Sequence, residues 1–476
     1  MENVSTSEVA GGQAGHVSKS QIAAAIECLA PLFPNRISTG RDICRQHANT
    51  LTGLRSEPPD AVIWPETTPE VAQIVTCASA YGVPIIAFGA GSSLEGHVNA
   101  PHGGIAVDFA KMNRVLEIRP DDLDCSVEAG VTRHALNTEL RATGMFFAVD
   151  PGAEFATIGG MAATRASGTT TVRYGSMRDN VINITAVMAS GEVVRTARRA
   201  RKSSAGYDLT RLLVGSEGTL GLITELTLKL HGVPETVTAA VAAFTTLEGA
   251  CRAAISAIQM GLGLARIELL DDQQIRAVNL HSKMNLPEVP TLFVELHGSS
   301  AACVKDLETF TGLAAAEGVI DVRSASDEDG RRALWKARHE ALWAVKSAWP
   351  GREVLVTDVA VPLSKLAQAV EETAEDVRQS GLVAPIVGHV GDGNFHAIIA
   401  FDRNDENEAK RVEQFLDRLV ARALSFDGTA TGEHGIGQGK RRFLALEHGS
   451  GVDVMRAIKT ALDPKGILNP GKLFLA

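Results

Sequence analysis

The sequence predicts an α+β protein of two domains, on three observations. Between 150 and 224 the text is crowded with Gly, Ser, Thr and Ala among short β runs. After Pro234 the texture changes to long amphipathic stretches alternating with apolar strands. The 476 residues give room for two large units. Apolar residues make up 45% and charged residues 21%, the ordinary globular mix, which excludes a disordered or coiled-coil chain.

The elements follow in order. Residues 1–20 are Gly-, Ser- and Gln-rich without a basic-then-apolar leader pattern, and read as a flexible tail. In 60–110, AVIWP is a strand. Thr68 then caps a helix with Pro69 at its first position, and Val71, Ile74, Val75 and Ala78 recur at helical spacing. Gly82 ends it, and VPIIAF (83–88) is the next buried strand. A short helix spans 132–143, from Thr132 to Gly144. IAVDF, VLEIR, CSVEAG, NITAVMAS and LITELTLKL are β runs. Beyond a boundary near Gly232–Pro234, helices are expected at about 246–260, 302–317, 327–348, 363–380 and 405–426. TLFVEL, EVLVTDVAVP and PIVGHV are strands, the helices lying over one face of a mostly antiparallel sheet. The domains are therefore 21–233, with its core at about 60–233, and 234–476.

Forty-six basic against fifty-six acidic residues give a net charge of −10, which argues against a nucleic-acid partner. No run of about 18 apolar residues exists to span a membrane. Six Cys lie far apart without a CxxC, which excludes a Cys-type zinc module and a small disulfide scaffold; a reduced, cytoplasmic setting is the simplest. The one sharp charge run is Arg195, Arg198, Arg199, Arg201 and Lys202. It reads as a solvated loop, or as a docking patch for an acidic redox partner.

Three Gly-rich runs carry the first chemistry. Phe88-Gly89-Ala90-Gly91-Ser92-Ser93-Leu94-Glu95-Gly96-His97 follows a buried strand, and Gly lets backbone N–H groups approach a pyrophosphate. A nicotinamide fingerprint would need GxGxxG opening a helix; here the third Gly is late, and Pro101 and Gly103–Gly104 intervene. The second run is Asp150-Pro151-Gly152-Ala-Glu-Phe-Ala-Thr157-Ile-Gly159-Gly160-Met-Ala-Ala163, continuing to Gly168 and Arg173-Tyr174-Gly175. The third is Gly215-Ser-Glu217-Gly218-Thr-Leu-Gly221-Leu-Ile223.

Together these runs resemble the FAD-binding (PCMH-type) domain of the vanillyl-alcohol oxidase superfamily, over about 60–235. The resemblance implies that Phe88, Gly89, Ala90, Gly91, Ser92, Ser93 and Leu94 hold the FAD pyrophosphate, with Gly96 and His97 beside them. Pro151, Gly152, Thr157, Gly159, Gly160, Ala163, Gly168, Tyr174 and Gly175, with Glu217, Gly218, Gly221 and Ile223, would line the ribityl chain and ring. Some members attach FAD through a His near the first loop, so His97 is the candidate; a polar contact and noncovalent FAD are expected.

His389-Val-Gly-Asp-Gly-Asn-Phe-His396 is a hairpin with a GDGN turn. If Val390 pairs with Phe395, the two imidazoles face each other about 5 Å apart at Cβ and can share a metal. Thr431-Gly432-Glu433-His434-Gly435-Ile436-Gly437 adds a carboxylate, making a His₂Glu set with positions open for substrate, and leaves His434 as general base. With Leu462-Asp-Pro-Lys-Gly-Ile-Leu-Asn469-Pro-Gly-Lys, these residues look like FAD-linked D-2-hydroxy-acid dehydrogenases, nearest the D-lactate dehydrogenase (cytochrome) group, from about residue 38 onward.

That resemblance implies Zn²⁺ or Mn²⁺ on His389, His396 and Glu433, with Asn469 near the flavin and the segment 462–476 returning to it. Arg338 matches the arginine that pairs with the substrate carboxylate. Relatives acting on D-2-hydroxyglutarate carry a Lys and an Asn where this chain has Val356 and Ile398, so a monocarboxylic acid, D-lactate first, is expected. The rivals are a glycolate-oxidising subunit of a larger complex, a D-2-hydroxyglutarate relative, and a flavin- and metal-binding relay without turnover. A cytochrome, quinone or electron-transfer flavoprotein is the expected acceptor, and a homodimer is compatible with the sequence.

Overall fold

The computed structural model describes residues 17–49 and 51–475, so residues 1–16 of the expected tail lie outside the described residues. Helix starts earlier than expected. Ser18 caps Lys19–Leu29 by accepting from Gln21 N while the Gln21 side chain reaches back, which takes residues 18–20 out of the tail.

The N-terminal half is built on two sheets. One has four strands in the order Ile37–Ser38, Ala61–Ile63, Ile105–Asp108, Ile85–Phe88, the last three parallel. The other is antiparallel: Val115–Arg119, Asp124–Glu128, Leu222–Lys229, Val181–Val187, Val193–Arg195. One core joins them, with Ile63, Val107, Ile74 and Val127 fully buried. Helix Thr68–Tyr81 is capped by Thr67 rather than Thr68. Thr67 has the extended backbone a cap needs (φ −145°, ψ 154°) and accepts from Glu70 N, while Thr68 is already helical. Gly82 closes it in the left-handed region, at φ 67°.

The C-terminal half is an antiparallel sheet in the order Val319–Ala325, Thr236–Phe244, Thr291–Gly298, Leu264–Leu270, Ile386–Gly388, Asn394–Phe401, Glu353–Val356, with Val359–Ala360 also paired to Asn394–Phe401. Its helices cover both faces, not one. Leu247–Gln259, Ser300–Ala316, Leu366–Ser380 and Glu406–Ser425 pack on one side, around Phe310, Phe395 and Phe415. Asp272–Ser282, Glu328–His339 and Ala341–Ala348 pack on the other, around Phe293, Trp335 and Val345. The sequence hid this because the central strands are apolar on both sides: Phe293 faces the second cluster and Val294 the first. The stretch 327–348 is two helices meeting at Glu340.

The chain end turns back to the N-terminal half. Leu468 pairs with Ile85 in parallel, and Asn469 N donates to Ile85 O at 2.8 Å. Ile467 and Leu468 are buried in the N-terminal core. No helix among the described residues is long and apolar enough to cross a membrane.

Candidate active site

A Gly-lined cavity opens at the C-terminal end of strand Ile85–Phe88. Its first wall is Phe88, Gly89, Ala90, Gly91, Ser92, Ser93 and Leu94, with His97 following. Its second wall carries Pro151, Thr157, Gly159, Gly160 and Ala163, and its third Glu217, Gly218, Gly221, Ile223 and Asn469. The glycines are there for contact. A Cβ at Gly89 would overlap Thr157 Oγ1, and one at Gly159 would press on Ala129. Thr157 Oγ1 is already engaged, accepting from Gly160 N at 3.3 Å as the cap of Ile158–Thr164.

Buried polar atoms face this space without protein partners. Among the described residues Ser93 Oγ has none, and neither ring nitrogen of His97 makes a hydrogen bond. His97 Nε2 lies 3.2 Å from Glu217 Oε2, close but poorly aligned. Glycine-lined backbone and unpaired buried polar atoms suit a phosphate- and amide-bearing ligand such as FAD. Glu217 holds its third wall in place: its backbone is left-handed (φ 54°), and its two oxygens accept from Ile436 N and Gly437 N at 2.7 and 2.8 Å.

Five expected flavin contacts do not line the cavity. Gly96, Gly152, Gly168 and Gly175 all have positive φ and serve turns. Gly96 backs onto Gln438, Gly168 onto the Asp150 carbonyl and Gly175 onto Asp179. Tyr174 turns away, its hydroxyl 2.7 Å from His297 Nδ1.

Glu433 and His434 reach the cavity wall from the other half of the chain. The hairpin register differs from the expected one: Val387, not His389, lies opposite His396. His389 sits diagonally one pleat further, on the same face, and the two rings still meet at 5.3 Å, 82° apart. His389 Nδ1 is held by Glu268 Oε1 at 2.7 Å, and His396 Nδ1 by the Thr357 carbonyl at 2.8 Å. Both rings therefore carry a proton on Nδ1 and aim the Nε2 lone pair inward. Each Nε2 points at Glu433 Oε1, from 3.2 and 3.4 Å. These three atoms lie close enough together to hold one cation, and the donor set fits a divalent metal. Without one, His389 itself holds a proton: burial opposes it, but the Glu268 and Glu433 charges raise its pKa well above 6.5. Those imidazoles in turn outweigh burial and hold the Glu433 carboxyl well below the usual carboxylate range.

Asp358, His396 and His434 form a second ligand-like group. There Asp358 Oδ2 is already occupied, accepting from Thr431 Oγ1, Glu433 N and His434 N at 2.7–3.0 Å. Asp358 shapes the loop that presents Glu433 and His434. Burial would raise its carboxyl, but the Lys440 ammonium and the His434 backbone N–H hold it well below 3.8. His434 stacks on His396 at 5.1 Å and 11°, and its buried Nδ1 has no hydrogen-bond partner among the described residues. Burial lowers its pKa to about 4 against the pull of Asp358, so the ring is neutral.

Arg338, on helix Glu328–His339, donates from Nε to Glu268 Oε2 at 2.6 Å. Among the described residues its Nη atoms make no hydrogen bond. Glu268, Asp358 and Ser167 were not foreseen. The signal for Glu268 was a fully buried carboxylate inside the apolar run LARIELL, which is rarely found without a paired charge.

The description "FAD binding domain" matches residues 59–197, and "FAD linked oxidases, C-terminal domain" matches 233–473. A Danio rerio protein named probable D-lactate dehydrogenase, mitochondrial, is 46% identical over 92% of this chain and 88% of its own length. An Arabidopsis thaliana protein named D-lactate dehydrogenase [cytochrome], mitochondrial, is 45% identical over 87% of this chain and 73% of its own. The solved structure of 4-ethylphenol oxidase from Gulosibacter chungangensis superposes with a TM-score of 0.79 over 96% of this chain and 98% of its own, at 19% identity, and shares the fold. The chain belongs to the FAD-linked oxidase family, an FAD binding domain followed by the family's C-terminal domain.

Proposed function

We propose that this flavoenzyme oxidises a D-2-hydroxy monocarboxylate, D-lactate first, to the 2-oxo acid. The observation that carries the reading is the convergence of His389 Nε2, His396 Nε2 and Glu433 Oε1 beside a neutral His434 at the wall of the flavin cavity. When bound, FAD supplies a hydride acceptor and a divalent metal supplies a Lewis acid for the hydroxyl.

The protein's own groups do the rest. His389, His396 and Glu433 hold Zn²⁺ or Mn²⁺, since a His₂Glu set suits both. His434 accepts the hydroxyl proton at an imidazole nitrogen, a role its low pKa suits because the ring stays unprotonated at neutral pH. Arg338 presents its Nη atoms to the substrate carboxylate, which fixes the face turned to the flavin. FAD is held without a covalent bond, His97 serving as a polar contact. The segment 21–233 forms the flavin unit and 234–476 the substrate unit.

The choice of a monocarboxylate is supported by Val356 and Ile398. They are direct cross-strand partners, packed in one apolar cluster, and offer nothing to a second carboxylate. The two named relatives support lactate, and the second supports a cytochrome as acceptor. Steady-state rates on D- and L-lactate, glycolate and D-2-hydroxyglutarate, with cytochrome c and an artificial dye as acceptors, test this. D-lactate should give the highest kcat/KM. A preference for D-2-hydroxyglutarate would contradict the reading of Val356 and Ile398.

A further inference from the structure

We propose that Glu268 is a positioning residue that sets the geometry of the metal ligand His389 and of the carboxylate clamp Arg338 at once. The inference rests on the roles read above for those two residues. Glu268 lies on strand Leu264–Leu270, next to Ile386–Gly388. The last pairs of that ladder are Leu270 with Val387 and Leu269 with Gly388; one step further brings Glu268 opposite His389. Sheet register therefore delivers this carboxylate to that imidazole.

Its two oxygens are divided between two partners. Oε1 accepts from His389 Nδ1 at 2.7 Å, and Oε2 accepts from Arg338 Nε at 2.6 Å. The Glu268 side chain is 0% exposed, so no water competes for either oxygen. The first bond fixes which His389 nitrogen carries the proton and turns Nε2 toward Glu433. The second takes up the Nε of the guanidinium and leaves its Nη ends to meet a planar anion. Through one rigid carboxylate, the distance between metal and anion clamp is set before substrate arrives.

The expected consequence is coupled loss. Glu268→Gln offers one acceptor and one N–H donor, so it can serve one of the two donors but not both. Glu268→Asp keeps the charge and loses the reach. The test uses flavin-loaded full-length protein stripped of metal by chelation. Mn²⁺ affinity is read from free Mn²⁺ by electron paramagnetic resonance. Oxalate affinity, at saturating Mn²⁺, is read from the shift of the flavin absorbance. Both variants should bind Mn²⁺ roughly 10- to 100-fold more weakly, the usual cost of removing the partner behind a ligating His. They should also bind oxalate more weakly while keeping the wild-type flavin spectrum.

Unchanged Mn²⁺ affinity would overturn the inference, and so would loss of Mn²⁺ affinity with oxalate binding intact. Wild-type behaviour in Glu268→Asp would reduce the role to bulk charge and overturn it as well. If Glu268→Gln does not fold, Glu268→Asp carries the test. Failure of the wild type to bind Mn²⁺ is a different result: it removes the metal reading itself.

Discussion

Ser167 Oγ donates to Glu433 Oε2 at 3.0 Å, a bond between residues 266 positions apart that ties the Gly-rich N-terminal half to the loop carrying Glu433 and His434. It leaves Glu433 Oε1 as the atom facing His389 and His396. The flavin cavity and the ligand cluster are thus joined at one carboxylate. Ser167→Ala should weaken Mn²⁺ binding by about 10-fold, in line with loss of one outer contact to a metal ligand. Bound flavin, counted by absorbance after gel filtration, should stay at the wild-type amount.

The proposed roles assign base and ligand to neighbouring residues of one dipeptide. Glu433→Gln should lose metal, since a neutral amide oxygen is the poorer ligand. His434→Ala should keep metal and flavin but slow flavin reduction by roughly 10²- to 10⁴-fold, the span for a positioned general base. Elemental analysis and anaerobic stopped-flow absorbance read the two. A metal-free His434→Ala protein would make His434 a ligand instead.

The pH dependence has a definite sign. Burial depresses His434 to about 4, so the neutral, proton-accepting form prevails above that value and is lost only as pH falls through it. Flavin reduction should accordingly show no loss attributable to a base of pKa near 6.5 between pH 5.5 and 8. A clear inflection near 6.5 that disappears in His434→Ala would contradict a buried, neutral base.

Gly89 tests the flavin cradle. A Cβ there would overlap Thr157 Oγ1, the cap of Ile158–Thr164. Gly89→Ala should lower FAD affinity by about 10-fold or more, equivalent to about 1.4 kcal/mol. Recovery of protein fluorescence on dilution of the holoenzyme measures it. Denaturation in acid should release all flavin to the supernatant; a yellow protein pellet would point to His97 and a covalent bond.

Much of this was legible in the sequence because the signals were local. Gly-rich loops announce close backbone approach, and Glu433-His434 between glycines announces a loop against a ligand. The rest depended on register and layering. Nothing in GHVGDGNFH says that Val387, rather than His389, will lie opposite His396. Nor does it say that a strand more than a hundred residues earlier will bring Glu268 against His389. Apolar positions on both sides of Thr291–Gly298 concealed the second helix layer. Gly96, Gly152, Gly168 and Gly175, which lie off the cavity wall, show the opposite difficulty. A glycine needed for a positive φ looks the same in sequence as one needed for contact with a ligand.

The central claim is that D-lactate gives its hydride to the flavin at a site that needs the His389–His396–Glu433 cation. Anaerobic mixing of D-lactate with the holoenzyme tests it in one trace. The flavin band near 450 nm should bleach with D-lactate and not with L-lactate, stop bleaching after chelation with the oxidised spectrum intact, and recover on adding Zn²⁺ or Mn²⁺. Bleaching at the full rate in protein shown by elemental analysis to be metal-free would contradict it.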